Sequence, residues 1–444
     1  MPDIIHLRDP VHGAISLTPE ERDLTELGPM RRLRHIKQLG FSDYAFPSAS
    51  HSRFSHSLGA MHVSSRMFDA IFAKQPDLPE DDRQKFRQAL RLALMLHDIG
   101  HAPLSHATES YMPQKCDLLG PHREPIDLGQ LPDTQAEIQA DVGATHEDYT
   151  TLLILSDEMR SYIDSHFLNI GVSADLVSRL LRGRTRDDDL SSNGINYAPL
   201  LEHIVSGELD ADRIDYLKRD AFFCGVTYGA IDQDWIIENL AAHHRDNKVY
   251  LALSHRAVFA FDDFLISRYH MFASIYYHHA ATAFDETLKR FASEDSNSMQ
   301  FPVSADAYLH FDDIFFWNYL RASDNIWAQR VTSGQHFRML IQTHQRNYKS
   351  DQQGSIREEQ LQDKLGAICD RLDANGIETI STSSTSTLSR YFKDNAHLFV
   401  INEPMGQSAH IRDYSEVFNR YQQPAIINRI YVAPESLTAA RAII

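Results

Sequence analysis

The residues best able to do chemistry crowd into one stretch, Leu92-Ala-Leu-Met-Leu-His97-Asp98-Ile-Gly100-His101-Ala-Pro-Leu-Ser-His106. Reading back from it, Phe86, Leu90, Ala93, Leu94 and His97 fall at helical spacing, so the His97 imidazole continues an apolar helix face. A metal ligand needs that placement: buried, held by packing and followed by a carboxylate able to reach the same ion. The plainer alternative is a helix end carrying a core histidine, with Gly100 as its stop signal. His56 upstream and Asp212 far downstream add a second imidazole and a second carboxylate. His56, His97, Asp98 and Asp212 together would make a mixed nitrogen and oxygen site. Such a site suits one divalent ion (Mn, Fe, Zn, Ni, Co or Mg) and leaves positions for water and substrate.

The elements that must position these residues can be read from periodicity and punctuation. Residues 4–17 alternate around Pro10 and Gly13 as a short hairpin, and Thr18-Pro19 starts a helix. Met30 to Gly40 reads as a basic amphipathic helix closed by glycine, and Phe46 to Gly59 as a loop entering a helix through Val63 and Phe68. Residues 112–143, rich in Pro, Asp, Gly and Gln, read as an insertion at a cleft rim or an interface. Thr145 starts a helix reaching Leu155, residues 182–194 form a polar loop, and Leu200 to Val205 is helical. Asp212, Tyr216 and Asp220 are four apart and share one helix face. A helix from Asp234 to Leu240, a strand from Lys248 to Leu253 and one long helix from about Ala257 to Ala292 follow. Beyond 300 the texture changes: a helix from Glu358 to Leu372, a Ser/Thr run from Thr379 to Ser389, and apolar strands at 398–401 and 426–432. The expectation is a mainly α chain with a helical catalytic domain over 1–299 and a smaller α+β lobe over 300–444.

Composition bounds the function classes. At 444 residues, 43% hydrophobic and 23% charged, the chain suits a globular protein with a sizeable core. A net charge of −18 disfavours tight, sequence-independent binding of nucleic acid, which needs clustered cations. No apolar run approaches the ~18 residues of a membrane span, and the first residues lack the pattern of a secretory signal, so the expected compartment is the cytoplasm. Cys116, Cys224 and Cys369 are too scattered for a disulfide framework. There is no internal repeat and no glycine-rich phosphate loop.

The order His…His-Asp…Asp defines the HD superfamily of metal-dependent phosphohydrolases, which this chain resembles. The flanking segments sharpen the likeness: Asp9-Pro-Val-His-Gly, Arg32-Leu-Arg-His-Ile-Lys-Gln-Leu-Gly40, Phe46-Pro, Ser50-His-Ser-Arg-Phe-Ser-His-Ser-Leu-Gly59, Leu96 to His106, Thr145-His-Glu147 and Asp212 to Asp220 occur in one order over about residues 4–280. Together they resemble the deoxynucleoside triphosphate triphosphohydrolase branch. The resemblance implies hydrolysis at the α-phosphorus, releasing nucleoside and triphosphate, with His56, His97, Asp98 and Asp212 as metal ligands. It places His101, His106 and His146 at the phosphate-transfer centre, His106 as proton donor to the leaving 5′-oxygen. Glu109 stands where the branch orients that histidine with an aspartate, and Glu147 would orient His146 or a water. Arg53 and Arg213 would neutralise phosphates; Gln38, Leu39, Tyr216 and Asp220 would form the sugar pocket. Arg268 and Tyr276 would contact phosphate and base. Tyr277 departs from the branch's glutamine, so base preference does not carry over. A homo-oligomer, dimer or tetramer, is implied. Asp9, Arg31 and Arg34 lie where some relatives bind an activating nucleotide. Glu26, Arg31 and Ile5 depart from that pattern, so an activator stays open. Two other functions share the same centre: an HD phosphodiesterase or nuclease acting on cyclic or single-stranded nucleotides, and a non-catalytic nucleotide-binding regulator. The acidic chain and the single-nucleotide pocket weigh against the first, and the intact ligand set against the second.

Overall fold

The structure, a computed structural model, describes residues 4–75, 77–119, 142–294, 299–346, 352–386, 397–420 and 425–444. It is mainly α, as the sequence pattern indicates. Three helices build the centre. Arg53–Phe72 is buried along most of its length, and Glu80–Leu96 and Ala211–Cys224 pack against it. Each has a local reason to start and stop where it does. Glu80, Asp81 and Asp82 sit in the first turn of Glu80–Leu96, where carboxylates complement the exposed N–H groups. Asp210 caps Ala211–Cys224 by accepting the Arg213 N–H at 2.7 Å, and Gly225 ends it with φ +68°.

The expected helix from Met30 to Gly40 is much shorter. Helix Gly28–Arg32 passes into a single 3-10 turn, Leu33–His35, and the chain then extends. Tertiary pairing overrides the local pattern here: the Gln38 N–H bonds the His51 carbonyl, and the Arg53 N–H bonds the Ile36 carbonyl, both at 2.9 Å. The long helix expected over 257–292 is also divided. Val258–Met271 runs into a π-turn, Phe272–Tyr276, and a new helix, His279–Glu294, begins after it. π-turns inside helices often mark functional positions; this one carries Tyr276. The expected helix to Leu240 stops at Glu238, and Leu240–Arg245 is a strand. The Ser/Thr run is likewise a strand, Thr379–Ser386. Part of the 112–143 segment lies outside the described residues; of the rest, Lys115–Leu119 is helical and Gln114 bridges to Gly143.

Besides the N-terminal hairpin Ile5–Asp9/Gly13–Leu17, two sheets complete the fold among the described residues. In one, Lys248–Ser254 pairs antiparallel with Leu240–Arg245 and parallel with Phe399–Asn402, which in turn pairs with Gln407–His410. The other is antiparallel, with Ala425–Val432 between Arg338–Arg346 and Thr379–Ser386. The main buried core runs through the position at which the sequence texture changes. Phe301, Tyr308, Phe316, Leu320 and Leu398 belong to the same cluster as Phe68, Leu94 and Ile214, whereas Leu372, Ile377, Val432 and Ala440 form a separate small cluster.

One buried ion pair closes the N-terminal side of the core. Glu21 is fully buried, and its carboxylate accepts from Arg91 Nε and Nη2, each at 2.6 Å, and from the Thr18 N–H at 3.0 Å. Burial works to raise the Glu21 pKa, but the Arg91 hydrogen bonds and charge hold it below the ordinary glutamate value. A carboxylate depressed in the folded state adds stability above its unfolded pKa and loses it as pH falls through the folded one. Glu21→Gln is therefore expected to cost about 3 kcal/mol near neutral pH. The gap from wild type should narrow below about pH 4. Thermal unfolding midpoints of both proteins across that range check this, and a gap independent of pH would contradict it.

Candidate metal centre and active site

His56, His97, Asp98 and Asp212 converge. His56 lies in the first turn of Arg53–Phe72, His97 and Asp98 follow Glu80–Leu96, and Asp212 is in the first turn of Ala211–Cys224. His56 Nε2 stands 2.9 Å from Asp212 Oδ1, 3.2 Å from His97 Nε2 and 3.7 Å from Asp98 Oδ2. His97 Nε2 is 3.3 Å from Asp98 Oδ1 and 3.4 Å from Asp212 Oδ1. His56, His97 and Asp212 are thus grouped as a metal-holding set, with Asp98 beside them.

The test of fit is whether the imidazoles offer lone pairs inward. His56 Nδ1 faces Asp215 Oδ2 at 2.7 Å, and His97 Nδ1 faces the Leu94 carbonyl at 2.7 Å. A carboxylate and a carbonyl accept, so both Nδ1 atoms carry the hydrogen and both Nε2 lone pairs point into the site. The residues fit a divalent cation. They also attract a proton: burial disfavours charge on His56, but its hydrogen bonds to the Asp212 and Asp215 carboxylates outweigh it and lift its pKa to about 10.

Asp215 is the support beneath these ligands, and sequence reasoning left it out. Fully buried, it takes His56 on one oxygen and His12 Nε2 on the other at 2.6 Å, and Arg219 bonds both oxygens at 2.9 and 3.0 Å. Arg219 Nη1 reaches on to Asp9 Oδ2 at 2.8 Å, and Asp9 Oδ1 accepts the N–H groups of Val11 and His12. The Ile5–Asp9/Gly13–Leu17 hairpin is thereby tied to the site. Asp9 is buried in this network, with both carboxylate oxygens engaged. A side chain at Gly59 would collide with Asp215 and Arg219, and one at Gly100 with the backbone of His146 and Thr150, so both helix crossings need glycine. The signal for Asp215 was its place one helical turn after Asp212, on the same element; the signal for His12 was its place in the Asp9-Pro-Val-His segment.

A second group adjoins the first. His101, His106, Glu109 and His146 lie together, with the His101 and His146 rings stacked at 3.8 Å. Glu109 Oε1 faces His146 Nδ1 at 2.7 Å and His106 Nδ1 at 3.0 Å. The longer arm of Glu109, relative to the expected aspartate, serves two imidazoles. Burial raises its pKa, but these two partners prevail and keep it well below the carboxylate range. Glu147 is exposed, and the group that meets His146 is Glu109. His101 Nε2 is 3.4 Å from Asp98 Oδ1, so Asp98 joins the two groups. Burial, reinforced by Arg53 and His146, holds His101 well below the usual histidine pKa, hence neutral.

The expected substrate contacts divide. Arg53 does not present its guanidinium to an empty cleft: Nη1 bonds Asp98 Oδ2 at 2.7 Å, Nε bonds Ser105 Oγ at 2.8 Å and Nη2 bonds the Gln38 carbonyl at 3.4 Å. It holds the Asp98 carboxylate in place. Arg213 is buried against Asp210, Glu208 and the Gly207 carbonyl. Asp220 is buried with both oxygens engaged, by His51 Nε2 at 2.8 Å and by the Tyr276 hydroxyl at 2.7 Å, so it positions those two groups. Tyr216 meets Tyr276 edge to face at 6.0 Å, and Arg268 and Arg213 are among the charges acting on it. Leu39 is partly buried, and the buried Gln38 Oε1 has no hydrogen-bond partner among the described residues. His51, missed by sequence reasoning, stacks on Phe223 at 4.5 Å.

The support role of Asp215 gives a direct expectation. Asp215→Asn removes the acceptor that fixes the His56 tautomer and should weaken divalent-metal affinity about 10–100-fold. Competition with a chelating dye reads this out; unchanged affinity for Mn²⁺ would contradict it. Since proton and cation share His56 Nε2, wild-type metal affinity should rise with pH across the neutral range.

Comparison with known proteins agrees with this geometry. The model of the HD domain matches residues 53–131, which hold His56, His97 and Asp98, and that of the HD associated region matches 231–380. An uncharacterized protein of Mycoplasma pneumoniae is 30% identical over 276 residues, covering 61% of this chain and 56% of that protein. A deoxynucleoside triphosphate triphosphohydrolase homologue from Dictyostelium discoideum is 31% identical over 226 residues, 49% of this chain and 36% of its own length. The matches thus span about half or less of those relatives. A crystal structure of a hypothetical protein from Aquifex aeolicus superposes with a TM-score of 0.72 at 25% identity, covering 99% of both chains. Among the described residues no helix is long and apolar enough to cross a membrane. The chain carries an HD domain followed by an HD associated region.

Proposed function

We propose that this chain is a metal-dependent phosphohydrolase that cleaves deoxynucleoside triphosphates at the α-phosphorus, giving deoxynucleoside and triphosphate. The observation that carries the proposal is the sharing of Asp98. One carboxylate oxygen lies 3.3 Å from His97 Nε2 in the metal-holding group and 3.4 Å from His101 Nε2 in the imidazole group. A phosphoryl group seated over Asp98 would therefore meet cation and imidazoles together. When bound, a divalent ion supplies Lewis-acid activation of a phosphoryl oxygen and of water.

The chain's own groups do the rest. His106 has a 68% exposed side chain, and its Nδ1 is held by Glu109. The opposite nitrogen is then the one turned toward incoming substrate, with Glu109 fixing the ring behind it. That is the arrangement of a general acid for the leaving 5′-oxygen. Neutral, buried His101, with the His146 ring stacked on it, lines the phosphate side without adding its own charge to that of the metal. Gln38 and Leu39 bound the sugar side, where close packing disfavours a ribose hydroxyl, and Tyr216 and Tyr276 supply the aromatic wall. The Dictyostelium relative's named activity supports the same substrate class.

The test is incubation of pure protein with each deoxynucleotide and ribonucleotide in Mn²⁺ or Mg²⁺, with products resolved by chromatography. Triphosphate and nucleoside in equal amounts are expected. Monophosphate with pyrophosphate, or no turnover across a full metal screen, would reject the reading; turnover of cyclic nucleotides instead would favour a phosphodiesterase. His106→Ala should lower kcat by about 10²–10⁴ with metal content retained. Loss of metal together with activity would place His106 in the other group.

A further inference from the structure

The turn that delivers His106 is held in an unfavourable backbone conformation. Leu104 and Ser105 have φ of +55° and +58°, a left-handed region that residues with a Cβ seldom adopt. Something must hold it. Both oxygens of the buried Asp313 carboxylate are bound to backbone N–H groups: Oδ1 to Leu104 at 2.7 Å and Oδ2 to Lys37 at 2.9 Å. Leu104 belongs to the turn before His106, and Lys37 precedes Gln38 and Leu39 on the sugar side. The same two segments meet again nearby, where Ser105 Oγ donates to the Lys37 carbonyl at 2.7 Å and accepts from Arg53 Nε. At Gly40 an added Cβ would lie 2.9 Å from the Leu104 carbonyl oxygen. Asp313 itself opens the helix Asp313–Ala322, whose N-cap Asp312 accepts the Phe315 N–H at 2.9 Å, so its carboxylate is fixed by a rigid element and favoured by the helix N-terminus.

We propose that Asp313 is a positioning residue that sets the spacing between the proton-donor turn and the sugar-side segment, and so couples catalytic rate to discrimination at the sugar. This rests on the functional reading above for what is coupled, but not for the clamp itself. Asparagine at 313 keeps the shape and loses one acceptor, leaving one of the two N–H groups facing an amide NH₂. No residue in contact with the metal-holding group changes.

Three readouts on Asp313→Asn test this. Metal content should equal that of wild type. Backbone amide hydrogen exchange should quicken in 36–40 and 103–106 together while Arg53–Phe72 stays protected. Turnover of the preferred deoxynucleotide should fall about 10²-fold in kcat, as expected for a misplacement near 1 Å, with the ratio of deoxynucleotide to ribonucleotide kcat/KM falling as well. Uniform destabilisation would not move that ratio. Native exchange at both segments, or native kcat and ratio, would overturn the clamp. Wild-type protein without triphosphate release would sink the functional reading alone, and the exchange measurement would then still decide the clamp. Should Asp313→Asn not fold, Asp313→Glu, which keeps the charge but shifts it by one methylene, takes its place with the same outcomes.

Discussion

The site depends on a carboxylate that does not belong to its ligand set. Asp215, sealed from water, accepts from His56, His12 and Arg219 at once. Isolated, such a buried charge would be prohibitively costly; with three cationic or N–H partners it is stable and ionised, its pKa pulled well below the ordinary value against the effect of burial. Its ionisation fixes the His56 tautomer and turns Nε2 toward Asp212 and His97. Its bulk explains Gly59, and its bond to Arg219 draws in Asp9 and the first hairpin. The first hairpin, His56 and the helix Ala211–Cys224 are thereby joined through one hydrogen-bonded network.

How much of this was legible beforehand follows from what each feature depends on. Candidate ligands need a particular element type at a particular spacing, so the convergence of His97-Asp98 at the end of an apolar helix face could be read directly, and that of His56 and Asp212 through the ordered motifs around them. The supports were less visible because a buried Asp or His is recognisable only from what it touches. Asp215 looks like one more charge on a helix, and Asp313 like half of a surface Asp-Asp pair. Arg53 and Asp220 were assigned outward roles because sequence shows a residue's chemistry and not the partners it already has. At the level of elements, the amphipathic pattern after Met30 was overruled by pairing with His51 and Arg53, and the continuous apolar pattern after Ala257 concealed the π-turn at Phe272–Tyr276. The Ser/Thr strand at 379–386 has no hydrophobic alternation and is a strand through its pairing with Ala425–Val432.

The two halves of the proposed reaction centre also use different electrostatics. Around His56 and His97, carboxylates raise the affinity of imidazole nitrogen for cations. Around His101, burial and the Arg53 charge do the reverse and keep the ring neutral. Asp98 stands between: Oδ2 is paired to Arg53, and Oδ1 faces both His97 and His101. Such a division lets neighbouring histidines bind a cation, donate to an anion and carry a proton within one cleft. Asp313, which accepts the Leu104 and Lys37 N–H groups, and Tyr276, which donates to Asp220, lie within the matched HD associated region.

The central claim, attack of water at the α-phosphorus with departure of the 5′-oxygen, is tested most directly by running the reaction in ¹⁸O-labelled water and weighing both products. The account requires one labelled oxygen in triphosphate and none in the deoxynucleoside. Label in the nucleoside, or label confined to a pyrophosphate or orthophosphate product, would contradict it.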